Sequence, residues 1–556
     1  MKTALYQINS KYVHSSLAVW YLSVAVLERG FECEVLEGSI NESEDVLFSR
    51  AVKSGARIIA LSVYIWNVDI VLSLAERLKA HDSTLTLILG GPEVSYRAEQ
   101  VLCEYSFVDY VISGEGEVPF SRLVASLAEG TSLPDIDGIC TRGDIRAPFV
   151  MDSDPPCPYT DEYLSRLGGR IAYIETSRGC PFCCAYCLSC TQGVRFFDLD
   201  RAKRDILTLA RSGAATVKFV DRTFNADKKR AREIFSFIID KYNEGMIPRG
   251  VTFHFEIAGE LLDVETLCIL RDVPAGLFQF EIGVQSMNEK TLRAIHRYTD
   301  TDKLSRVIKE LSSWGNIHIH TDLIAGLPYE DIDSFRHSYN TLAALGSHKL
   351  QLGFLKLLYG SDMRESPEIY PCEYESEPPY TVRSTPWLSE DDLRELYMVE
   401  KVVDGVYYSG RFESTTEYLL SATGLDPYTL ALKLSSSLYG VGTPALDTLF
   451  DRLYESASIM GGVASEVLRD RMLYDRISHN NSCVIPHSLR ICDSRLKEIS
   501  AKLKSLYPEK KGVRRCIGIL YSENAVIFAD YSNKHPVTEH YEVKEISLEE
   551  LYEKDL

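Results

Sequence analysis

The 556-residue chain carries 80 acidic and 60 basic side chains, a formal net charge of −20 at pH 7, with 45% hydrophobic and 25% charged residues. That length accommodates about three or four domains with cores of their own, and the acidic balance disfavours a broad nonspecific grip on nucleic acid. No stretch reaches the roughly 18 apolar residues of a membrane-spanning helix and the start lacks an apolar signal core, so the expected location is cytoplasmic.

From residue 1 to about 130, apolar runs at 4–8, 33–36, 58–63, 85–89 and 108–113 alternate with helical periodicity over 18–29, 45–54, 69–80, 97–104 and 118–129. Five such units predict an α/β fold, here a doubly wound, Rossmann-like parallel sheet. Ligands of such sheets lie beyond the carboxyl ends of the strands. This chain places 9–15, 62–67, 90–92 and 114–117 there, the last two rich in glycine.

A linker rich in proline and aspartate is expected over 131–165. A second alternation follows over 166–365, with strands at 172–176, 216–221, 251–257, 277–284, 317–324 and 350–357. Helices at 200–212, 226–243, 264–271, 289–314 and 331–345 separate them. The pattern predicts a partial (βα)6 TIM-like barrel, whose chemistry sits at the strand carboxyl ends. The C-terminal domain, 380–556, reads as mostly helical with a hairpin over 516–530, and no motif in it attaches to a chemistry. Basic stretches around 203–229 and 502–515 read as solvated faces, and no fixed-period repeat is present.

Five cysteines crowd the segment after the first barrel strand: Cys180, Cys183, Cys184, Cys187 and Cys190. The spacing Cys-x3-Cys-x2-Cys fits them as 180/184/187 or as 183/187/190. Three thiolates on a four-iron cube leave one iron open to a further ligand. Two plainer readings compete. Zinc would use the pairs 180/183 and 187/190, which are closer together than zinc modules set them. A disulfide would need an oxidising compartment that nothing else in the chain suggests.

Gly179-Cys-Pro-Phe-Cys-Cys-Ala-Tyr-Cys187 resembles the signature loop of radical S-adenosylmethionine (SAM) enzymes. Phe219-Val-Asp-Arg-Thr-Phe-Asn225, Phe253-His-Phe-Glu-Ile257, Glu281-Ile-Gly-Val-Gln-Ser286 with Arg297, and Asp322-Leu-Ile-Ala-Gly-Leu-Pro328 are similar to its later strands, in the family's order. The resemblance selects the first register, because an aromatic residue, Tyr186, precedes the third ligand and Gly179 and Pro181 flank the first. It implies a [4Fe-4S] cluster on Cys180, Cys184 and Cys187, and SAM contacts from Tyr186, Asp221, Glu256, Gln285, Arg297 and Asp322. Cys183 and Cys190 are left as spare thiols.

The amino-terminal unit resembles the cobalamin-binding domain joined to the largest subgroup of that family. It implies cobalamin contacts from Asn9, Ser62, Tyr64, Trp66, Asn67, Gly90, Gly91, Gly114, Glu115 and Gly116. The Asp-x-His-x-x-Gly segment that supplies a cobalt ligand in many corrinoid proteins is absent, and His14 reads as a loop histidine. The implied activity is radical methylation of an unactivated carbon, fed by an electron donor such as flavodoxin or ferredoxin, on a small-molecule or peptide substrate. Its rivals are rearrangement, cyclisation or hydrogen abstraction without methyl transfer, tRNA methylthiotransfer, and a non-catalytic cobalamin or SAM sensor.

Overall fold

The computed structural model describes residues 1–190, 193–438, 444–508 and 513–553. Two compact units emerge. Unit one is Met1–Asp272 with Ile295–Arg297 and Leu355–Arg383; unit two is Val273–Ala294, Tyr298–Phe354 and Ser384–Leu556. Among the described residues, no helix is long and apolar enough to cross a membrane.

Unit one opens with strands β1 (Thr3–Asn9), β2 (Cys33–Ser39), β3 (Ile58–Ser62), β4 (Thr86–Gly90), β5 (Tyr110–Ile112) and β6 (Ile139–Cys140), ordered β2-β1-β3-β4-β5-β6. The first five are parallel, and β6 pairs antiparallel with β5. The stretch expected as a linker therefore supplies an edge strand. Every residue of β1 and of β3 is buried, as a parallel sheet covered on both faces requires. Helices Glu44–Lys53 and Val68–His81 cover one face through Leu47, Val71, Leu74 and Leu78, which join Tyr6, Leu61 and Leu89 in one apolar core.

Unit one continues with β7 (Ile171–Ile174), a ribbon of β8 (Ser177–Arg178) and β9 (Arg195–Phe196), then β10 (Thr216–Phe219) and β11 (Thr252–Ile257). β10 runs parallel to both β7 and β11. In unit two, β12 (Phe278–Gln285), β13 (His318–Ala325) and β14 (Lys349–Phe354) pair in parallel. This is the strand and helix series of a partial (βα)6 barrel.

One expectation fails locally. The helix expected over 289–314 is two helices, Glu289–Ala294 and Thr301–Trp314. His296 between them has φ 60°, a left-handed turn no helix continues through. Asp300 restarts the helix by accepting from the Lys303 amide at 2.9 Å. Arg297 therefore sits in a loop, 8% exposed, rather than on a helix surface.

The rest of unit two is largely helical from Glu390 to His479. It ends in an antiparallel sheet, Arg515–Leu520, Ala525–Lys534 and Tyr541–Ser547, so the expected hairpin gains a third strand. The architecture is α/β throughout, with a mostly helical carboxyl-terminal part.

Candidate functional site

The cysteine loop begins with a backbone constraint. Gly179 has φ 99°, and a Cβ there would overlap the Gly193 carbonyl oxygen, so only glycine lets the returning chain close over the loop. Cys180 and Cys184 are buried, and the Cys180 sulfur lies 3.4 Å from Thr223 Oγ1. The Ala185 amide donates to the Ile295 carbonyl at 3.1 Å, and the Met363 amide to the Ala185 carbonyl at 3.0 Å. Loops distant in sequence thus hold the middle of the cysteine segment.

Cys183 and Cys190, expected as spare thiols, form a disulfide with Cα atoms 4.9 Å apart. The correction has a simple physical cause: the loop turns back on itself within eight residues. Cys180, Cys184 and Cys187 are free thiols. A disulfide sulfur is no thiolate, so the 183/187/190 register is deprived of two ligands. Among the described residues, no three His, Cys, Asp or Glu side chains surround a single metal ion. A cube bound through three separate irons needs thiols around a shared space instead. The donor set and the closed glycine turn fit such a cluster.

Burial raises the Cys184 thiol pKa, against the opposing pull of the Arg297 guanidinium and the Tyr186 hydroxyl beside it. Arg297 also lies over the Phe182 ring at 5.5 Å. Asp221, fully buried, accepts from the Thr176 amide at 3.0 Å, Thr176 Oγ1 at 2.7 Å and Ser177 Oγ at 2.6 Å. Burial pushes its carboxyl up to about 6, with those donors pulling the other way. Its oxygens staple the end of β7 to that of β10. Glu256, half-buried, faces Lys218 at 3.6 Å and Arg222 at 3.7 Å.

Unit two holds the other two residues assigned to SAM. Gln285 ends β12 at a bulge with φ 70°, and its buried Oε1 meets no hydrogen-bond donor among the described residues. The next residue, Ser286, donates through Oγ at 2.6 Å to Glu330, which is fully buried and also accepts from Ser338 Oγ at 3.0 Å; burial pushes its carboxyl up to about 7. Asp322 on β13 lies 3.3 Å from His320 Nε2.

Above the strand ends of the amino-terminal sheet, unit one contains a cavity of about 520 Å3. Ser62, Tyr64, Gly90, Gly91, Gly114, Glu115 and Gly116 line it, and so do Gly179, Leu188 and Ser189 of the cysteine loop. Gly91 has φ 115°, where a Cβ would overlap the Val63 carbonyl. A neighbouring cavity of about 350 Å3 is lined by Asn9, His14, Trp66 and, on a shared wall, Tyr64. The Tyr64 and Trp66 rings stack 4.4 Å apart. Broad apolar space bounded by glycine backbone fits a flat macrocycle.

Two expected residues, Asn67 and Glu115, have other duties, and His14 holds a loop as expected. Asn67 is 1% exposed; it donates to the Ile8 and Ser62 carbonyls at 2.9 and 3.1 Å and accepts from the Tyr64 amide at 2.7 Å, which fixes the β3 loop. His14 bonds the Tyr173 hydroxyl at 2.7 Å. Glu115 pairs with Arg178 at 2.9 Å and Arg195 at 2.8 Å.

Arg178 was not anticipated. It also meets Glu117 and Glu175 at 2.9 Å each. Burial alone would lower its pKa, but three carboxylates outweigh that and raise it. The signal in the sequence was an arginine set directly before the Gly179 turn, with two glutamates alternating with glycine at 114–117. Glu330 and Thr223 gave no comparable signal.

Residues 4–124 match the B12 binding domain, 174–342 the radical SAM superfamily, and 368–549 a family described as a protein of unknown function, DUF4080. Over 318 residues the chain is 27% identical to the cobalamin-dependent radical SAM methyltransferase TokK of Streptomyces tokunonensis, covering 52% of this chain and 45% of that protein. Over 250 residues it is 28% identical to an anaerobic magnesium-protoporphyrin IX monomethyl ester cyclase of Synechocystis, covering 42% and 48%. The chain thus spans about half the length of these relatives. Among solved structures, the cobalamin-dependent SAM radical enzyme OxsB shares the fold with a TM-score of 0.59 at 14% identity, over 92% of this chain and 82% of its own. TsrM from Kitasatospora setae does so at 0.55 and 16%, over 68% and 78%. The chain thus carries a stretch matching the B12 binding domain followed by one matching the radical SAM superfamily.

Proposed function

We propose that this protein is a cobalamin-dependent radical SAM enzyme that methylates an unactivated carbon. The observation that carries the reading is the cavity of about 520 Å3, lined both by the glycine loops of the amino-terminal sheet and by the cysteine loop. When bound, the cluster supplies an electron that cleaves SAM to a 5'-deoxyadenosyl radical and the corrinoid supplies the methyl group.

Cys180, Cys184 and Cys187 hold the cluster, a register supported by the pairing of Cys183 with Cys190. Tyr186 and Arg297 brace Cys184, and Arg297 suits the SAM carboxylate. The orphaned oxygen and left-handed backbone of Gln285 support its assignment to SAM. Glu256 and Asp322 are assigned by the resemblance. Asp221 contributes through the strand ends it joins, and Glu115 and Asn67 through the loops they hold. Ser62, Tyr64, Gly90, Gly91, Gly114 and Gly116 face the corrinoid, with Asn9 and Trp66 behind Tyr64.

In this reading residues 1–130 bind cobalamin, 166–365 generate the radical and 380–556 form a separate C-terminal domain. The protein works with a reduced flavodoxin or ferredoxin, on a small-molecule or peptide substrate. Anaerobic reconstitution tests it: about four irons and one cobalt per chain, with both 5'-deoxyadenosine and S-adenosylhomocysteine as products. Deoxyadenosine without S-adenosylhomocysteine would overturn methyl transfer and favour radical chemistry of the kind named for the cyclase relative.

A further inference from the structure

Beside the cavity above the amino-terminal strand ends, unit one holds a second, of about 620 Å3, whose lining includes Tyr96, Arg97, Arg146, Tyr359, Arg364 and Tyr374. The two cavities share Ser95, Tyr96 and Pro148. Tyr96 is fixed in that shared wall: its ring packs on Gly360, which has φ 83° and where a Cβ would overlap the ring. Leu188 and Ser189, directly after Cys187, line the first cavity. The second cavity therefore adjoins the space that the cysteine loop lines.

Three arginines line the second cavity, and two have internal partners. Arg146 pairs with Asp135 at 2.7 Å and Asp144 at 2.9 Å. Arg97 pairs with Glu93 at 2.8 Å, and that carboxylate, 4% exposed, also accepts from the Tyr380 hydroxyl at 2.6 Å. Arg364 forms no ion pair among the described residues. Its guanidinium lies over the Tyr359 ring at 3.6 Å and the Tyr380 ring at 4.6 Å, and donates through Nη1 to the Leu357 carbonyl. Arg97 lies over the same Tyr359 ring at 4.5 Å, so two guanidinium groups share one ring and the single carboxylate of Glu93. Glu99 and Glu365 on the rim are exposed and pair with neither arginine among the described residues; Glu365 accepts from the Gly360 amide at 3.2 Å.

An arginine held by aromatic faces keeps its charge and its orientation without a carboxylate. Two of the three nitrogens of Arg364, Nε and Nη2, make no hydrogen bond among the described residues and lie at the cavity wall. Such a planar fork matches the paired oxygens of a carboxylate or phosphate. Tyr96 and Tyr374, 43% and 36% exposed, add flat apolar surface for the remainder of a ligand.

We propose that this second cavity is the substrate site and that it takes a small molecule bearing a carboxylate or phosphate group, with Arg364 on the anion and the rest of the molecule directed toward Tyr96 and the first cavity. The proposal rests on the cobalamin-dependent radical SAM reading of the first cavity and the cysteine loop. The nucleotide of cobalamin also carries a phosphate, which presents the same chemistry to Arg364. The experiment therefore separates the two sources.

The reconstituted full chain is compared with Arg364→Gln by equilibrium dialysis against phenyl phosphate, with benzyl alcohol as the neutral probe. Phenyl phosphate is expected to bind Arg364→Gln at least about tenfold more weakly than the unaltered protein, with benzyl alcohol unaffected. Should Arg364→Gln fail to fold, Arg364→Lys, which keeps the charge and loses the fork, is expected to weaken phenyl phosphate by about threefold. Equal phenyl phosphate affinity in variant and parent overturns the anion site. Cobalamin, and cobinamide, which lacks the nucleotide and its phosphate, should each bind the variant as tightly as the parent; a loss for cobalamin alone assigns Arg364 to the corrinoid and overturns the substrate site. With methyl-labelled SAM and a small-molecule extract of the source cells, the labelled product is expected in the fraction that an anion-exchange column retains. A neutral or cationic labelled product overturns the proposal as well. Deoxyadenosine with no labelled product overturns methyl transfer instead, and phenyl phosphate binding still decides the anion site.

Discussion

Asp221, just after β10, and Gln285, at the end of β12, are assigned to the same cofactor by the same kind of sequence resemblance, yet their physical states are opposite. Asp221 has three internal donors on its two oxygens. Gln285 has a left-handed backbone and a buried amide oxygen with no donor among the described residues. A group that is already satisfied is scaffold, whereas strain and an unmet hydrogen bond persist where something else must repay them. The cysteine loop divides the same way: Cys183 and Cys190 satisfy each other, and Cys180, Cys184 and Cys187 remain free.

That division is broken most sharply at the loop. Cys184→Ala is expected to lose the cluster outright, with iron content and the charge-transfer absorbance near background, while Cys190→Ala retains both. Iron bound equally by the two variants would erase the distinction. Gly179→Ala should come next: its new methyl group meets the Gly193 carbonyl, the loop cannot close, and most of the iron is lost although all five cysteines remain.

Asp221 provides a pH test of the scaffold side. Its folded carboxyl titrates at about 6 against about 3.9 unfolded, so the stability it contributes is complete below about pH 4 and declines as pH rises through about 6. Comparing urea unfolding of the parent with Asp221→Asn, the parent's relative stability should fall by about 2–3 kcal/mol between pH 4 and 7. A pH-independent difference would mean that Asp221 is not buried as an acid. The smallest effects belong to Gln285. Gln285→Gly should raise unfolding stability by about 1 kcal/mol through relief of the left-handed backbone, while both Gln285→Gly and Gln285→Ala weaken SAM binding about tenfold in equilibrium dialysis. Unchanged SAM affinity would place Gln285 with Asp221.

The alternation of apolar strands and amphipathic helices made both parallel architectures legible, because strand burial and helix periodicity are local properties of the chain. Tyr186 and Gly179 in the sequence led to the register 180/184/187, whose three cysteines are the free thiols of the loop. The break between Ala294 and Thr301 was not, since nothing local announces the left-handed His296. The partnership of Cys183 with Cys190 was also hidden, because a disulfide depends on how the loop turns in space. Arg178 escaped notice for the same reason: its three carboxylates come from positions 115, 117 and 175, and only folding brings them together.

That arginine bears on how such proteins can be rebuilt. Two of the carboxylates around Arg178 belong to the amino-terminal domain, and the cation sits two residues before Cys180. A foreign amino-terminal domain without acids at both places would leave that partly buried charge, at the root of the cysteine loop, with Glu175 as its one remaining carboxylate of the three. An exchange or redesign of the amino-terminal domain therefore has to carry both acids with it.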